Sequence, residues 1–126
     1  MELNMVADIL QADFILKKDS GSINIDTACG ADLMSDVLAF SRGKTMLLTG
    51  LTNPQVVRTA EITDIKVICF VRGKSPTEDT KKLAKEKEIV LLKSDKPLFE
   101  CCGLLYEAGI KPEKLNNFKD GGIKFG

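Results

Sequence analysis

The sequence predicts an α/β fold, a three-layer α/β/α sandwich in which helices cover both faces of a mainly parallel sheet. Apolar runs at 45–51 and 65–73 are rich in β-branched residues, which is typical of strands that are covered on both faces. The residues between the two runs repeat apolar side chains at helical spacing. A strand, a helix and a strand in so short a stretch form a βαβ unit, so the two strands should be parallel neighbours.

The helix of this unit carries its own start signal. Asn53 can accept a hydrogen bond as the capping residue, and Pro54 suits the first helical position, where no amide bond is lost. Val56, Val57 and Ala60 then form an apolar face. Strands and helices alternate throughout the chain after residue 22, which extends the same sheet in both directions.

The N-terminal part of the chain predicts shorter elements. Residues 5–12 have the apolar spacing of a helix, and residues 14–16 form a short apolar run that predicts a strand. Residues 23–28 alternate apolar and polar side chains, as a half-buried strand does. A helix from Ala31 to about Phe40 follows, with Gly43 as its C-terminal stop.

The C-terminal half opens on a strong helix start. Ser75 can cap the helix, Pro76 suits its first position, and Glu78 completes a capping box. The helix extends to Glu88 and consists mostly of Lys and Glu, which predicts a solvated outer helix. Two further elements follow, a buried strand at 89–92 and a helix at about 97–108 that Gly109 ends in a left-handed conformation.

Composition predicts a single domain over residues 1–126, in which 111–126 form a loosely held tail. Acidic and basic residues balance at 18 each, so no strong field recruits nucleic acid or an anionic membrane. No apolar run approaches the ~20 residues that cross a bilayer, and the N-terminus lacks the pattern of a signal peptide. We therefore expect a cytoplasmic protein.

The absence of histidine from the sequence bears directly on catalysis. It removes the most common general base and every Ser-His-Asp or Cys-His arrangement, so we predict no catalytic residues. The sequence favours a protein that is not an enzyme and leaves that question open. Residues 42–45 imitate a phosphate loop, but Leu38 stands where that loop needs glycine, and the segment follows a helix instead of opening one. Asp32 and Asp36 could bind a divalent cation, although the first turn of a solvated helix explains these acids better, and no metal site is predicted.

Several strand-to-helix turns should converge on one edge of the sheet, because parallel strands end at the same side. Small hydroxyls, glycine and cations at such an edge can hold an anion, and helix amides favour it. The candidate ligand-binding residues are Thr49, Gly50, Thr52, Asn53, Arg72, Lys74 and Ser94. The alternative is that these are ordinary turns with caps, as occur in every fold of this class.

The four cysteines lack the spacing of a secreted disulfide framework. Cys101 and Cys102 are adjacent on a helix and point about 100° apart, so they rarely grip one metal, and Cys69 lies within a buried strand pattern. No cofactor and no iron–sulfur cluster is predicted. Cys29 precedes a predicted helix N-terminus, which lowers a thiol pKa, so it is the candidate reactive thiol.

The last predicted helix is apolar almost all round. From Leu98 to Tyr106 only Glu100 is charged, and a helix of this kind must be covered on more than one side. In so small a chain the second cover can be another subunit. We therefore predict a homodimer with this helix near the interface; a different protein partner is the alternative.

The stretch from residue 22 to residue 110 resembles the DRTGG domain, which is similar to the N-terminal domain of HPr kinase/phosphorylase. Residues 32–36 (DLMSD), residues 49–60 and residues 91–105 carry the resemblance most clearly. The resemblance implies a three-layer α/β fold, a tendency to self-associate, and a regulatory or scaffolding role instead of chemistry. The phosphoryl-transfer domain of the HPr enzyme has no counterpart here, and stand-alone domains of this kind are associated with iron-hydrogenase gene clusters.

Three functions are therefore open from the sequence. The first is a non-catalytic regulatory or interaction module that self-associates. The second is a domain that binds a small anionic ligand such as a nucleotide. The third is an accessory protein of iron–sulfur hydrogenase systems.

Overall fold

The computed structural model describes residues 1–18, 21–40 and 45–112. Five helices and five strands lie in this part of the chain. They are α1 Leu3–Leu10, β1 Asp13–Leu16, β2 Thr27–Gly30, α2 Met34–Phe40, β3 Thr45–Thr49, α3 Pro54–Ile62, β4 Val67–Phe70, α4 Glu78–Glu86, β5 Val90–Lys93 and α5 Leu98–Glu107.

The five strands form one sheet in the order β1-β5-β4-β3-β2. Strands β2 to β5 are parallel neighbours, with Met46 opposite Val67 and Val67 opposite Val90. Strand β1 joins β5 antiparallel at one edge, and β2 forms the other edge. The predicted mainly parallel sheet is confirmed.

Alternation along the central strands separates two apolar layers. Met46 and Leu48 pack with α1 and α5 on one face, and Leu47 packs with α2, α3 and α4 on the other. Strands β3 and β4 are buried at every position, which explains why their sequences show no alternation. Each fully buried Leu or Val contributes roughly 1.5–3 kcal/mol, so these two strands anchor the three-layer core.

The connections explain why three helices share one face. Strands β2, β3, β4 and β5 are spatial neighbours in chain order, and right-handed crossovers in one direction place α2, α3 and α4 on the same side. After β5 the chain passes to the other face, where α5 contacts α1, β2 and β3. The connections therefore diverge at the carboxyl ends of β4 and β5, the place where α/β sheets commonly form a crevice.

The edge of β2 receives the end of the described chain. Thr27 forms a parallel bridge with Lys111, and the Ala28 amide donates to the Lys111 carbonyl at 3.1 Å. Gly109, with φ of 103°, turns the chain out of α5 as predicted. Residues 113–126, most of the predicted tail, lie outside the described residues, as does the predicted stop at Gly43.

Two N-terminal boundaries differ from prediction. Helix α1 begins at Leu3 and ends at Leu10, because Gln11 adopts a left-handed conformation with φ of 50°. The predicted strand at 23–28 was wrong over its first part, since β2 begins only at Thr27. The Ile25 amide instead donates to the Met1 carbonyl at 2.7 Å, so this stretch packs beside the N-terminus.

Two helix starts were also predicted wrongly. Helix α2 begins at Met34 instead of Ala31, so Asp32 precedes the helix and does not share a face with Asp36. The cap of α4 is Thr77, whose side chain accepts from the Thr80 amide at 3.3 Å, and not Ser75. The cap of α3 is confirmed, because the Asn53 side chain accepts from the Gln55 amide at 3.0 Å.

Among the described residues, none of the helices has the length and apolar character that crossing a membrane requires.

Candidate functional site

The carboxyl ends of the parallel strands meet at one side of the sheet. We call this side the carboxyl rim and define it by residues 30–32, 50–53, 71–77 and 94–97, which follow β2, β3, β4 and β5. All seven predicted ligand-binding residues lie on it or, for Thr49, at its border.

An acidic side chain occupies the rim at the end of β3. The Asp32 carboxylate accepts from the Gly50 amide at 2.8 Å and from the Thr49 hydroxyl at 3.0 Å. The same Thr49 oxygen accepts from the Leu51 amide at 3.2 Å. Charge-assisted bonds of this kind are about twice as strong as neutral ones. The donors that would hold an anion at this turn are therefore already bound to an anion of the protein itself.

Thr52 and Asn53 both form hydrogen bonds at the start of a helix. The Thr52 carbonyl accepts from the Thr80 hydroxyl at 2.7 Å and from the Thr77 amide at 3.2 Å, which ties the turn after β3 to the start of α4. Asn53 caps α3. Thr52 thus links the turn after β3 to α4, and Asn53 begins α3.

The loop after β4 is closed by its backbone. The Arg72 amide donates to the Lys96 carbonyl, and the Gly73 amide donates to the Ser94 carbonyl, both at 2.9 Å. Arg72 and Gly73 have φ of 56° and 67°, so the loop needs two consecutive left-handed residues to make this turn. The Arg72 and Lys74 side chains are exposed, and neither has an acidic partner within 4 Å in the described ranges.

Ser94 points into the fold. Its side chain is 1% exposed, and its hydroxyl donates to the Leu10 carbonyl at 2.7 Å while accepting from the Lys96 amide at 3.2 Å. The Cys101 thiol lies 3.8 Å from the same oxygen. Ser94 thus joins the end of β5 to α1 and to α5.

The rim brings Thr49 and Gly50 together with Asp32, a residue that the sequence pattern had placed in a helix. It places Arg72 and Lys74 on the neighbouring loop, with Ser94 buried beneath. The position of Asp32 could have been predicted from the sequence. An acidic residue two positions after a parallel strand lies at the same edge of the sheet as the turn that follows the neighbouring strand.

Two of the four thiols, Cys69 and Cys101, are buried in an apolar layer, and Cys29 and Cys102 are half-buried. Cys29 is the third residue of β2, opposite Leu47, and no helix begins until Met34, so the predicted reason for its reactivity was wrong. Burial raises the pKa of Cys69 from 9.0 to about 12, and burial also raises the pKa of Cys101 and of Cys102. Whether Cys29 reacts stays a prediction. Within the described chain no three Cys, Asp or Glu side chains are grouped to hold a metal ion.

Helix α5 presents large apolar side chains outward. Phe99 is 90% exposed and Tyr106 is 61% exposed, seven residues apart on the same side of the helix, with Gly103 between them. An apolar groove of about 240 Å³ runs beside this side of α5, between the helix and the edge of the sheet. Its lining residues are Ala28, Gly30, Leu48, Cys102, Leu105, Tyr106, Ile110, Lys111 and Pro112.

Fold and site together define a small α/β domain with a mainly parallel sheet. No family profile matches the chain, and neither does any curated protein. Among solved structures, it is similar to the CBS and DRTGG domains of the regulatory region of Clostridium perfringens pyrophosphatase, complexed with its activator diadenosine tetraphosphate. The TM-score is 0.64 at 15% identity over 90% of this chain, and the chain spans about half (51%) of the length of that structure's chain. This likeness supports a DRTGG-like fold; the similarity to HPr kinase and the association with hydrogenase systems stay predictions.

Proposed function

We propose that this chain is a non-catalytic regulatory module that works as a homodimer, with α5 at the interface. The observation that carries the proposal is the exposed apolar side of α5. A phenylalanine that is 90% exposed forgoes roughly 1.5–3 kcal/mol of burial, and a two-fold contact recovers such a term twice.

Gly103 supports the choice of a helix as the partner. A Cβ at this position would meet no neighbouring atom within 4 Å, so packing inside the chain does not require glycine there. Glycine within a helix costs about 1 kcal/mol relative to alanine. A second helix that crosses at Gly103 can approach closely because no side chain stands between the two backbones. This close approach would explain why glycine occupies the position.

The spacing of the apolar side chains suits a two-fold axis. Phe99 lies four residues before Gly103 and Tyr106 lies three residues after it, so two antiparallel copies of α5 that cross there place Phe99 beside Tyr106 of the second copy. Tyr106 lines the groove of about 240 Å³, which has room for one aromatic side chain. We infer that each Phe99 enters the groove of the other copy.

The regulatory role rests on how the rest of the molecule is used. The sequence has no histidine, and several polar groups of the carboxyl rim are hydrogen-bonded within the protein. The structural neighbour is itself a regulatory region. Both observations support a regulatory module over an enzyme.

Sedimentation velocity at tens of micromolar protein tests the homodimer. We expect the unmodified chain to sediment as a dimer and Phe99→Glu as a monomer, with unchanged far-UV circular dichroism. The control is Ile62→Glu, which changes an exposed apolar residue on α3 (71% exposed) and should leave the dimer intact. A monomeric unmodified chain, or equal loss of the dimer in both variants, contradicts the proposal.

A second substitution separates folding from association. Gly103→Leu should raise the helix propensity of α5 by up to about 1 kcal/mol within one chain, yet it should block the close crossing of two helices. We expect a more stable monomer. A dimer that survives Gly103→Leu would rule out the crossing at this residue.

A second candidate function is the binding of a nucleotide-like anion at the carboxyl rim. Arg72 and Lys74 favour it as exposed cations without an acidic partner among the described residues, and the structural neighbour was solved with a dinucleotide activator. Asp32 opposes it by its negative charge at the next turn. Calorimetric titration with diadenosine tetraphosphate tests the function. Arg72→Gln with Lys74→Gln should weaken binding and Asp32→Asn should tighten it, whereas no heat in any variant ends this candidate.

A further inference from the structure

The opposite end of the sheet holds a cleft with a different character. We call it the lysine cleft; it has a volume of about 410 Å³ and lies where β1 ends and β5 begins. It is lined by Leu16, Lys17, Lys18, Lys85, Glu88, Ile89 and Val90. A hollow of about 210 Å³ adjoins it and shares Lys17, Lys18 and Val90, so the two lysines stand between two open spaces.

The charges of the lysine cleft are unbalanced. Three lysines and one acidic residue, Glu88, are among the described residues that line the cleft, and Glu2 lines the adjoining hollow, although the whole chain is neutral. Four of the other lysines have carboxylate partners at 3.0–3.2 Å, namely Lys66, Lys81, Lys87 and Lys96, whereas Lys74, Lys82, Lys93 and Lys111 have none within 4 Å in the described ranges. Lys17, Lys18 and Lys85 have none within 4 Å in the described part of the chain. Three like charges in one concave space attract an anion more strongly than separate surface lysines do.

A β-bulge brings the lysines to the cleft. Phe14 lies opposite Leu92 and Leu16 lies opposite Leu91, so Ile15 is an extra residue in β1. A bulge bends its strand and changes the direction of the side chains that follow. Lys17 follows directly and holds its ammonium group 5.0 Å from the centre of the Phe14 ring.

The floor of the lysine cleft is apolar only in part. Leu16 is half-buried there, whereas Ile89 and Val90 are each 2% exposed and lie in the core. This apolar floor beneath several cations suits a ligand with a small apolar part and a strongly anionic part. The volume lies within the ~300–1,000 Å³ that small-molecule sites occupy.

We propose that the lysine cleft binds a phosphorylated small molecule. Lys17, Lys18 and Lys85 hold its phosphate oxygens, and its apolar part rests on Leu16. The proposal is independent of the homodimer, because it uses the other end of the sheet and none of the residues of α5.

Isothermal titration at low salt, about 50 mM, with tripolyphosphate and with adenosine triphosphate tests the proposal. Lys17→Gln with Lys18→Gln should weaken binding of both compounds at least about tenfold, since two charge-assisted contacts are lost. Glu88→Gln should tighten binding about two- to fivefold, because it removes the opposing charge. Lys82→Gln, on the same helix as Lys85 but outside the lining, is the control for net charge and should leave binding unchanged.

The two compounds distinguish the source of the phosphate. Tighter binding of adenosine triphosphate that Leu16→Ala reduces supports a ring-bearing ligand on the apolar floor, and equal binding supports a phosphate group alone. The proposal is overturned if neither compound binds, if Lys82→Gln weakens binding as much as the cleft variants, or if only the Arg72→Gln/Lys74→Gln variant loses binding.

Discussion

At the carboxyl rim, Asp32 accepts from Gly50 and Thr49, and Ser94 donates to Leu10. At the amino end of the same strands, Lys17 and Lys18 border open space without a carboxylate within 4 Å in the described ranges. Asp32 and Ser94 at the first end hold secondary-structure elements together, whereas Lys17 and Lys18 at the second end are exposed, as are Arg72 and Lys74 at the rim. The comparison teaches that position at the carboxyl ends of a parallel sheet does not alone identify a binding site.

We expect the largest loss of stability from a substitution in the close packing at the end of β2. A Cβ at Gly30 would lie 2.6 Å from the Cys102 sulfur and 3.1 Å from a Leu98 methyl group. Gly30→Ala should therefore lower the free energy of unfolding by about 2–3 kcal/mol, measured by urea denaturation. Cys102→Ala in the same chain should restore part of the loss, and simple additivity of the two changes would argue against this contact.

Removal of the buried Ser94 hydroxyl should cause the second-largest loss of stability. Ser94→Ala leaves the Leu10 carbonyl and the Lys96 amide without this partner, which should cost about 1–2 kcal/mol in urea denaturation. Ser75→Ala is the matched control, because that hydroxyl is exposed and accepts only from the Lys93 ammonium in the described structure. If both substitutions lowered the free energy of unfolding equally, the buried Ser94 hydroxyl would contribute no more to stability than the exposed Ser75 hydroxyl.

Alkaline pH tests the thiols that lie beneath the rim. The unfolded Cys69 thiol ionises near 9.0 and the folded one near 12, because burial raises its pKa. The folded state therefore keeps a proton that the unfolded state loses, so this contribution to stability is intact below pH 9 and falls as the pH rises toward 12. At pH 10 the loss should be about 1 kcal/mol. Urea midpoints at pH 8 and pH 10 should differ less for Cys69→Ala than for the unmodified chain, and identical differences would contradict the assignment.

Substitutions of exposed side chains should change the free energy of unfolding least. Asp32→Asn should lower stability by less than about 1 kcal/mol, since the asparagine side-chain oxygen can still accept both hydrogen bonds and only the negative charge is lost. Lys17→Gln at the open end should change stability by no more than about 0.5 kcal/mol. Thermal denaturation of both variants measures these changes. A larger loss of stability for Lys17→Gln than for Asp32→Asn would mean that Lys17 helps to stabilise the fold.

Much of the fold follows from local sequence patterns. The buried runs of β3 and β4, and the Asn53–Pro54 start of α3, are strong local signals that tertiary packing reinforces. The start of α4 was mistaken because Ser75 and Thr77 are both suitable caps. Pro76 is buried and the Ser75 hydroxyl accepts from Lys93, which leaves the cap to Thr77.

The candidate site was harder to predict, since its partners are distant in sequence. Asp32 contacts residues 17 and 18 positions away, and Ser94 contacts Leu10 across 84 positions. Local spacing identifies which residues reach the rim but not which of them satisfy one another. The lysine cleft depends on the extra residue in β1, and a bulge leaves no clear pattern in so short a strand.

The two edges of the sheet are both protected. At β2 the edge is covered by the Lys111 segment, and at β1 it is interrupted by the bulge and followed by two lysines. Such devices discourage the addition of further strands and hence the growth of ordered aggregates. Strand pairing between two copies of this domain is therefore disfavoured at both edges of the sheet.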